Sequence, residues 1–235
     1  MFKVIIVIPC YKVDKYIIDV LNKIPLKKIF KVILVDDNCP NNTGLLIKKK
    51  IKNNKIKIIF LKKNLGVGGA TKVGIKFARK YKPDAIIKID GDGQHDPKFL
   101  EGFINLQKKN PSTYIKGFRK LSYKKIPISR YLGNYLITNI LKFLTNNYNL
   151  KDVVNGFISI PKRIYTKLNF KKISDDYFFE QDLLFQITLK KFKVDQKKIS
   201  TIYNSNIKSS LNEFGVILPF LIKYLFMLIN KIKNK

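Results

Sequence analysis

Asp84-Ala85-Ile86-Ile87-Lys88-Ile89-Asp90-Gly91-Asp92-Gly93-Gln94 is an apolar run closed by three oxygen-bearing side chains set two residues apart. A short Ile-rich run bounded by glycines reads as a strand buried on both faces, the pattern of a parallel sheet covered by helices. In an extended chain residues two apart point to one side, so Asp90, Asp92 and Gln94 converge. Hard cations such as Mg²⁺ or Mn²⁺ take carboxylate and amide oxygens of this kind and complete their shell with substrate phosphates. Gly91 and Gly93 leave room between these ligands for a diphosphate to approach the backbone.

Upstream of this stretch, Lys3 to Ile8, Lys31 to Val35 and Lys55 to Leu61 read as three further strands. Helical spacing over residues 14–24, 43–52, 69–81 and 97–109 separates and follows them. The order β-α-β-α-β-α-β-α predicts an α/β fold, a doubly wound, mainly parallel sheet with helices on both faces. Ligands of such sheets bind beyond the carboxyl ends of the strands. Pro9-Cys10-Tyr11, Asp36-Asp37-Asn38 and Asn64-Leu65-Gly66 therefore join Asp90 to Gln94 on one edge. Beyond residue 112 the alternation loosens: Thr113 to Gly117 and Val153 to Ile160 read as strands, Tyr131 to Leu144 and Phe179 to Leu189 as helices.

Three features invite other readings. Gly66-Val67-Gly68-Gly69-Ala70 has Thr71 where a dinucleotide fingerprint has its third glycine, and it follows the third strand, so it reads as a packing device. His95, the single histidine, is a hydrogen-bonded loop residue or a ligand. One of Asp36 and Asp37 caps the next helix, and the other faces the base and ribose of a nucleotide.

The 235 residues hold 47 Lys and Arg against 16 Asp and Glu, a net charge of +31, with 46% hydrophobic residues. That composition excludes a disordered, collagen-like or disulfide-stapled chain. Such charge favours polyanions or an anionic membrane surface. The lysines recur along the whole chain rather than clustering with aromatics, so nucleic acid is an unlikely partner. Cys10 and Cys39 are expected as free thiols of a cytosolic chain. From Phe214 to Ile229 nearly every residue is apolar, with Lys223 inside and Lys231, Lys233 and Lys235 after it. The run is short of the ~20 apolar residues of a membrane span. It reads as an interfacial helix with lysines at the headgroups, or as a helix packed on the core. The expected organisation is one domain over residues 1–212 followed by this segment, 213–235.

The ordered set of motifs, with Gly117-Phe118-Arg119, Arg130, Asp152-Val153-Val154-Asn155-Gly156-Phe157 and Tyr177 to Leu184, resembles the family 2 glycosyltransferases of GT-A fold. It is most similar to their dolichol-phosphate mannose synthase-like branch. The resemblance implies a nucleotide-diphosphate sugar donor, GDP- or UDP-linked, a divalent Mg²⁺ or Mn²⁺ ion and inversion at the anomeric carbon. It places Pro9, Tyr11, Val35 and Asp37 around the nucleotide with Asp90 and Gly91, and Asp90, Asp92 and Gln94 on the metal. Arg119 and Arg130 match arginines near an acceptor phosphate, where guanidinium forks grip oxygens in pairs.

Asp182 falls where the family carries an acidic residue near the acceptor, and with Asp92 it is the expected catalytic pair. Glu180, two positions earlier, points about 200° away on a helix, so only one of the two faces the site. The loop Thr201 to Ile207 lacks the arginine common in relatives, which leaves Lys208 and the metal to neutralise the diphosphate. The expected activity is sugar transfer to a polyprenyl phosphate, dolichyl or undecaprenyl, by a peripheral protein on the cytosolic membrane face. Transfer to a sugar hydroxyl of a cell-surface glycan is the alternative, and a non-catalytic basic nucleic-acid or membrane-surface binder a further one.

Overall fold

The computed structural model describes residues 2–120, 128–200 and 217–233, with the side chains of Arg130, Ile217 and Leu218 outside that description. Seven strands form one sheet: β1 (Val4–Cys10), β2 (Lys31–Asp36), β3 (Ile56–Phe60), β4 (Ala85–Lys88), β5 (Tyr114–Arg119), β6 (Ile158–Pro161) and β7 (Val194–Ile199). Their order is β3-β2-β1-β4-β6-β5-β7. β1 to β4 pair in parallel, and β6 alone runs against its neighbours β4 and β5. Because both β4 and β5 are antiparallel to β6, they run the same way, and their carboxyl ends, near Asp90 and Arg119, share one edge.

Helices α1 (Ile17–Asn22), α2 (Thr43–Lys50), α3 (Gly66–Ala78) and α4 (Phe99–Lys109) follow β1 to β4 in turn. α5 (Ile128–Thr145), the short α6 (Lys162–Tyr165), α7 (Phe179–Leu189) and α8 (Ile217–Lys233) complete the set among the described residues. This is the doubly wound α/β sheet that the spacing predicts. β7, Val-Asp-Gln-Lys-Lys-Ile, was not among the elements legible from periodicity, since its middle carries no apolar residue.

Two cores flank the sheet. Val7 and Val35 point toward α3, where a Cβ on Gly74 would lie 2.4 Å from Val7 Cγ1. Ile6, Ile8 and Leu34 point to the opposite core with α1 and α4. The glycines that open α3 serve packing, and their partner is the loop before α7. A Cβ on Gly66 or Gly68 would strike the backbone carbonyls of Asp175 or Ser174 at 2.7 and 2.6 Å, and Gly69 N–H donates to Asp175 O at 2.8 Å.

α8 is two-sided. Tyr224 and Met227 are buried in the α3–α7 core, and the Phe178 ring meets Phe220 edge-on and Tyr224 at a tilt, at centroid distances of 5.1 and 5.0 Å. Lys223 reaches Ser174 Oγ at 2.7 Å and Asp176 Oδ2 at 2.8 Å. Leu221, Ile222, Leu225, Phe226 and Ile229 face outward. One side of this helix is packed on the core, and its other side is apolar and exposed. Among the described residues no helix is long and apolar enough to cross a membrane.

Candidate active site

Asp90 leaves the carboxyl end of β4 two residues after Lys88, which points into the α7 side of the sheet. Lys88 is 1% exposed, and its ammonium lies 2.6 Å from Asp90 Oδ1 and 2.6 Å from Glu180 Oε1. Burial works to lower the Lys88 pKa, but the two carboxylates outweigh it and raise it. For Asp90 the same balance holds with opposite sign: burial works to raise its pKa and the Lys88 charge brings it below the usual range.

His95 folds under the same turn. Its Nδ1 accepts the Asp90 N–H at 3.1 Å, and its ring lies 5.6 Å from that of Phe157. Burial pulls its pKa down to about 4, so the ring is neutral, with its proton on Nε2. The 3.3 Å between Nδ1 and Asp90 Oδ2 is then contact of two acceptors rather than an ion pair. Of its two readings, the hydrogen-bonded loop residue is the one this geometry describes.

Asp92 is the more open carboxylate, turned back so that Oδ1 accepts the Gln94 N–H at 2.9 Å. Burial, and then the negative charge of Asp90, push its pKa up to about 6. Two carboxylates crowded in this way favour a divalent cation. Among the described residues no three Asp, Glu, His or Cys side chains gather to hold one unaided. The donor set fits a hard cation that shares its shell with phosphate oxygens. Gly91 does not provide the opening expected of it: a Cβ there would lie 3.1 Å from Ile17 and 3.3 Å from Ile8 and Val13, so its bareness seats the loop on α1. Gly93, at φ +79°, takes the left-handed turn that lets the chain double back.

The other expected nucleotide residues lie on the same edge with unequal exposure. Tyr11 is 44% exposed just past β1. Asp37 is buried; its Oδ1 accepts the Leu65 N–H at 2.7 Å, tying the ends of β2 and β3 together, and burial raises its pKa against that bond. Asp36 is the capping residue of the pair, accepting from Cys39 N and Gly44 N at 2.8 and 2.6 Å. Pro9 and Val35 pair in register at the strand ends, and the Val35 side chain is fully buried against α3. Strand alternation turns its side chain into the core, so only its backbone reaches the strand ends.

The two acidic residues of α7 hold different partners. Asp182 Oδ2 accepts from Ser174 N at 2.9 Å and Ser174 Oγ at 2.5 Å, which tethers the preceding loop to the helix. Burial raises the Asp182 pKa against those bonds. Glu180 is the carboxylate turned to Asp90, through Lys88. Both lie in the first turn of α7, and the helical phase that buries Phe179 and Leu183 in the core decides between them. The sequence signal that marks Glu180 is Lys88, a charge inside an apolar strand that requires a buried partner.

Arg119, at the end of β5, is clamped on Asp152, Nε to Oδ2 at 2.6 Å and Nη2 to Oδ1 at 2.8 Å. Its fork is thereby engaged by a carboxylate rather than turned outward. It still lines an open pocket of about 510 Å³ whose walls include Lys120, Lys142, Lys151, Lys198, Tyr131 and Asn134. Arg130 stands in the first turn of α5, and Lys208 lies outside the described residues.

A mainly parallel sheet with an Asp-Gly-Asp turn at the end of β4 and one antiparallel strand beyond it is the GT-A fold of nucleotide-sugar transferases. The family model of Glycosyl transferase family 2 matches residues 5–169, and the chain belongs to that family and is a glycosyltransferase. An uncharacterized protein of Methanocaldococcus jannaschii is 28% identical over 235 residues, covering 95% of this chain and 99% of that one. UDP-N-acetylglucosamine–dolichyl-phosphate N-acetylglucosaminyltransferase of Methanococcus voltae is 28% identical over 218 residues, 84% of this chain and 85% of that one. Among solved structures, glucosyl-3-phosphoglycerate synthase of Mycobacterium tuberculosis superposes with a TM-score of 0.72 at 14% identity, over 95% of this chain and 78% of that one. The same synthase bound to Mn²⁺, UDP and glucosyl-3-phosphoglycerate gives 0.70 at 14% identity.

Proposed function

We propose that the chain transfers a sugar from a UDP- or GDP-linked donor to the phosphate of a polyprenyl lipid, at a membrane surface, with a divalent ion held by Asp90, Asp92 and Gln94. The observation that carries the acceptor is the lysine-walled pocket beside Arg119, on the same sheet edge as Asp90. A phosphate suits it: four lysines and a carboxylate-balanced arginine leave a net positive hollow. The name of the Methanococcus voltae relative, a transferase to dolichyl phosphate, supports the same class. The M. tuberculosis synthase complexes with Mn²⁺ and UDP support the donor and the ion.

In this reading Tyr11, Asp37 and the backbone at Pro9 and Val35 border the nucleotide, with Lys208 as a further counter-charge. Asp90 and Asp92 would hold a divalent cation, and when bound it would supply positive charge to the leaving diphosphate. The acceptor phosphate oxygen forms the new bond to the anomeric carbon from the face opposite the bond to the diphosphate, which breaks, so the configuration inverts. A lipid phosphate is largely ionised at pH 7, with its second pKa near 6, so no carboxylate need remove a proton from it. This accords with Asp182 and Glu180 both being committed to internal partners.

The lipid tail has a surface to lie against. α5 and α8 pack side by side, Lys231 donating to Phe143 O and to Asn146 Oδ1, and Leu132, Leu136, Phe143, Leu225, Phe226 and Ile229 are exposed on them. Apolar side chains on two neighbouring helices, flanked by lysines, fit the headgroup boundary of an anionic bilayer. The test is transfer of labelled sugar from UDP- and GDP-sugars, with Mn²⁺ or Mg²⁺, to undecaprenyl or dolichyl phosphate. Label extracted with the lipid supports the proposal; label found only on a glycan hydroxyl refutes the acceptor.

A further inference from the structure

Lys88 is a charge placed where the pattern of β4 calls for an apolar side chain. It shares a sheet row with Ile158 and Lys116, on the face that α7 covers, and its neighbours Ile86, Ile87 and Ile89 are all fully buried. A buried ion pair is poor evidence of stabilisation, because a well-packed apolar pair of similar volume does as well or better. The bridge from Asp90 to Glu180 therefore calls for another reason. Its surroundings are built to keep it. A Cβ on Gly156 would lie 2.4 Å from Lys88 Nζ, 2.7 Å from Asp90 Oδ2 and 3.2 Å from Glu180 Oε1, so the loop before β6 closes directly over all three groups.

We propose that Lys88 and Glu180 are positioning residues for Asp90: the ammonium fixes the rotation of the Asp90 carboxylate at the end of β4, and Glu180 anchors that ammonium to α7. The proposal rests on the reading of Asp90 and Asp92 as ligands of the donor diphosphate and its cation. Carboxylates that bind metals are commonly oriented by partners of this kind, whose loss costs about 10- to 100-fold in metal affinity or activity. The arrangement also joins the donor turn to the helix whose preceding loop, at Ser174 and Asp175, packs on α3 and α8.

Lys88→Met alone strands Glu180 as a buried unpaired charge, so the decisive variant is Lys88→Met with Glu180→Gln. It removes one positive and one negative charge together and leaves the charge balance at the turn unchanged. A change in binding then reports the loss of the Lys88 bridge to Asp90. The full chain is titrated calorimetrically with UDP and with GDP in the presence of Mn²⁺, and its melting temperature and kinetics are measured alongside. We expect the double variant to melt close to the parent, to bind the Mn²⁺–nucleotide about 10- to 100-fold more weakly, and to keep its acceptor KM. Glu180→Gln, which retains an oxygen for Lys88, shifts in the same direction by less. Parental Mn²⁺–nucleotide affinity in both variants, whatever their melting temperatures, overturns the positioning role while the site reading stands. If the parent itself binds neither nucleotide with Mn²⁺, the site reading falls and this inference with it.

Discussion

Arg119 and Asp152 close on each other through both carboxylate oxygens, and the Arg119 backbone N–H donates to the same Asp152 Oδ2 at 2.9 Å. Asp152 holds a left-handed conformation, φ +45°, to do so. The pair ties the end of β5 to the loop that carries Gly156. Asp152→Ala would remove both carboxylate oxygens from the Arg119 guanidinium, at a cost of about 3 kcal/mol. Chemical denaturation should show that loss, and an unchanged midpoint would mean that the clamp contributes nothing to the fold.

The lysines of the neighbouring pocket are separable from the fold because their heads line open space. Lys142→Ala with Lys151→Ala should raise the acceptor KM about tenfold, the scale of a charge-assisted contact at a partly exposed site. Mn²⁺–nucleotide affinity should stay at the parental value. A weakened donor with an unaltered acceptor KM would assign the pocket to the wrong substrate.

Asp92 is the carboxylate of the turn without a lysine partner, and removing its charge exposes the leaving diphosphate. Asp92→Asn should fold normally, since the bond that its carboxylate accepts from Gln94 N–H survives in an amide. Turnover should fall about 10²-fold or more. Metal-dependent turnover near the parental rate in a folded Asp92→Asn protein is the outcome that removes this site.

The alternation of apolar runs and helical spacing made β1 to β4 and α1 to α4 legible: β1 and β2 are buried on both faces and announce themselves by runs of Val and Ile, and the edge strand β3 keeps three isoleucines around one lysine. The donor turn was legible for the same reason: three polar residues end such a run. What sequence spacing did not carry was direction within elements. Val35 reads as an edge residue by position, but period-two alternation turns it inward. Asp182 and Glu180 differ by two residues on one helix, and only the packing of Phe179 and Leu183 fixes their phase. Arg119 reads as an anion clamp until Asp152, 33 residues later, is brought against it. Long-range pairing of charges is set by topology, and a single sequence records the charges without their partners.

Gly156 is bare for a steric reason, and the three atoms that a methyl would meet belong to groups that cannot move independently. Gly156→Ala should displace Lys88 from one of its carboxylates, lowering stability by about 1 to 3 kcal/mol, the usual cost of overpacking a core. Because the strain falls on the Asp90 bridge, donor binding should weaken in the same variant. An alanine protein with parental stability and donor affinity would show that the loop yields easily.

Lys116 is fully buried, with its ammonium donating to Asn155 O at 2.5 Å. Burial lowers its pKa, against the pull of Glu180, to about 8. The unfolded value is near 10.4, so between about pH 8 and 10.4 the unfolded chain binds the proton that the folded chain has lost. Stability contributed by this residue therefore rises with pH across that window; below it, the buried charge costs about 3 kcal/mol. Lys116→Met should raise the melting temperature at pH 7 and flatten the rise between pH 8 and 10. A parental profile in the variant would contradict the shift.

The outward face of α5 and α8 gives the last expectation. Truncating the chain at residue 212 would remove Tyr224 and Met227 from the core, so it tests folding rather than membranes. Leu225→Ser with Phe226→Ser changes two side chains that are 59% and 61% exposed and leaves that core intact. Each of these side chains, if buried in lipid, contributes about 2 kcal/mol, so losing both should weaken partitioning by two or more orders of magnitude. The lysines add an attraction of about 1 kcal/mol each near an anionic surface, screened by salt. The parent should sediment with anionic liposomes at low and high salt, and the double variant at low salt only, with the melting temperature and donor affinity of both alike. If parent and variant sediment equally at high salt, the two-helix face does not contact lipid, and if neither binds at any salt, the lipid acceptor loses its membrane.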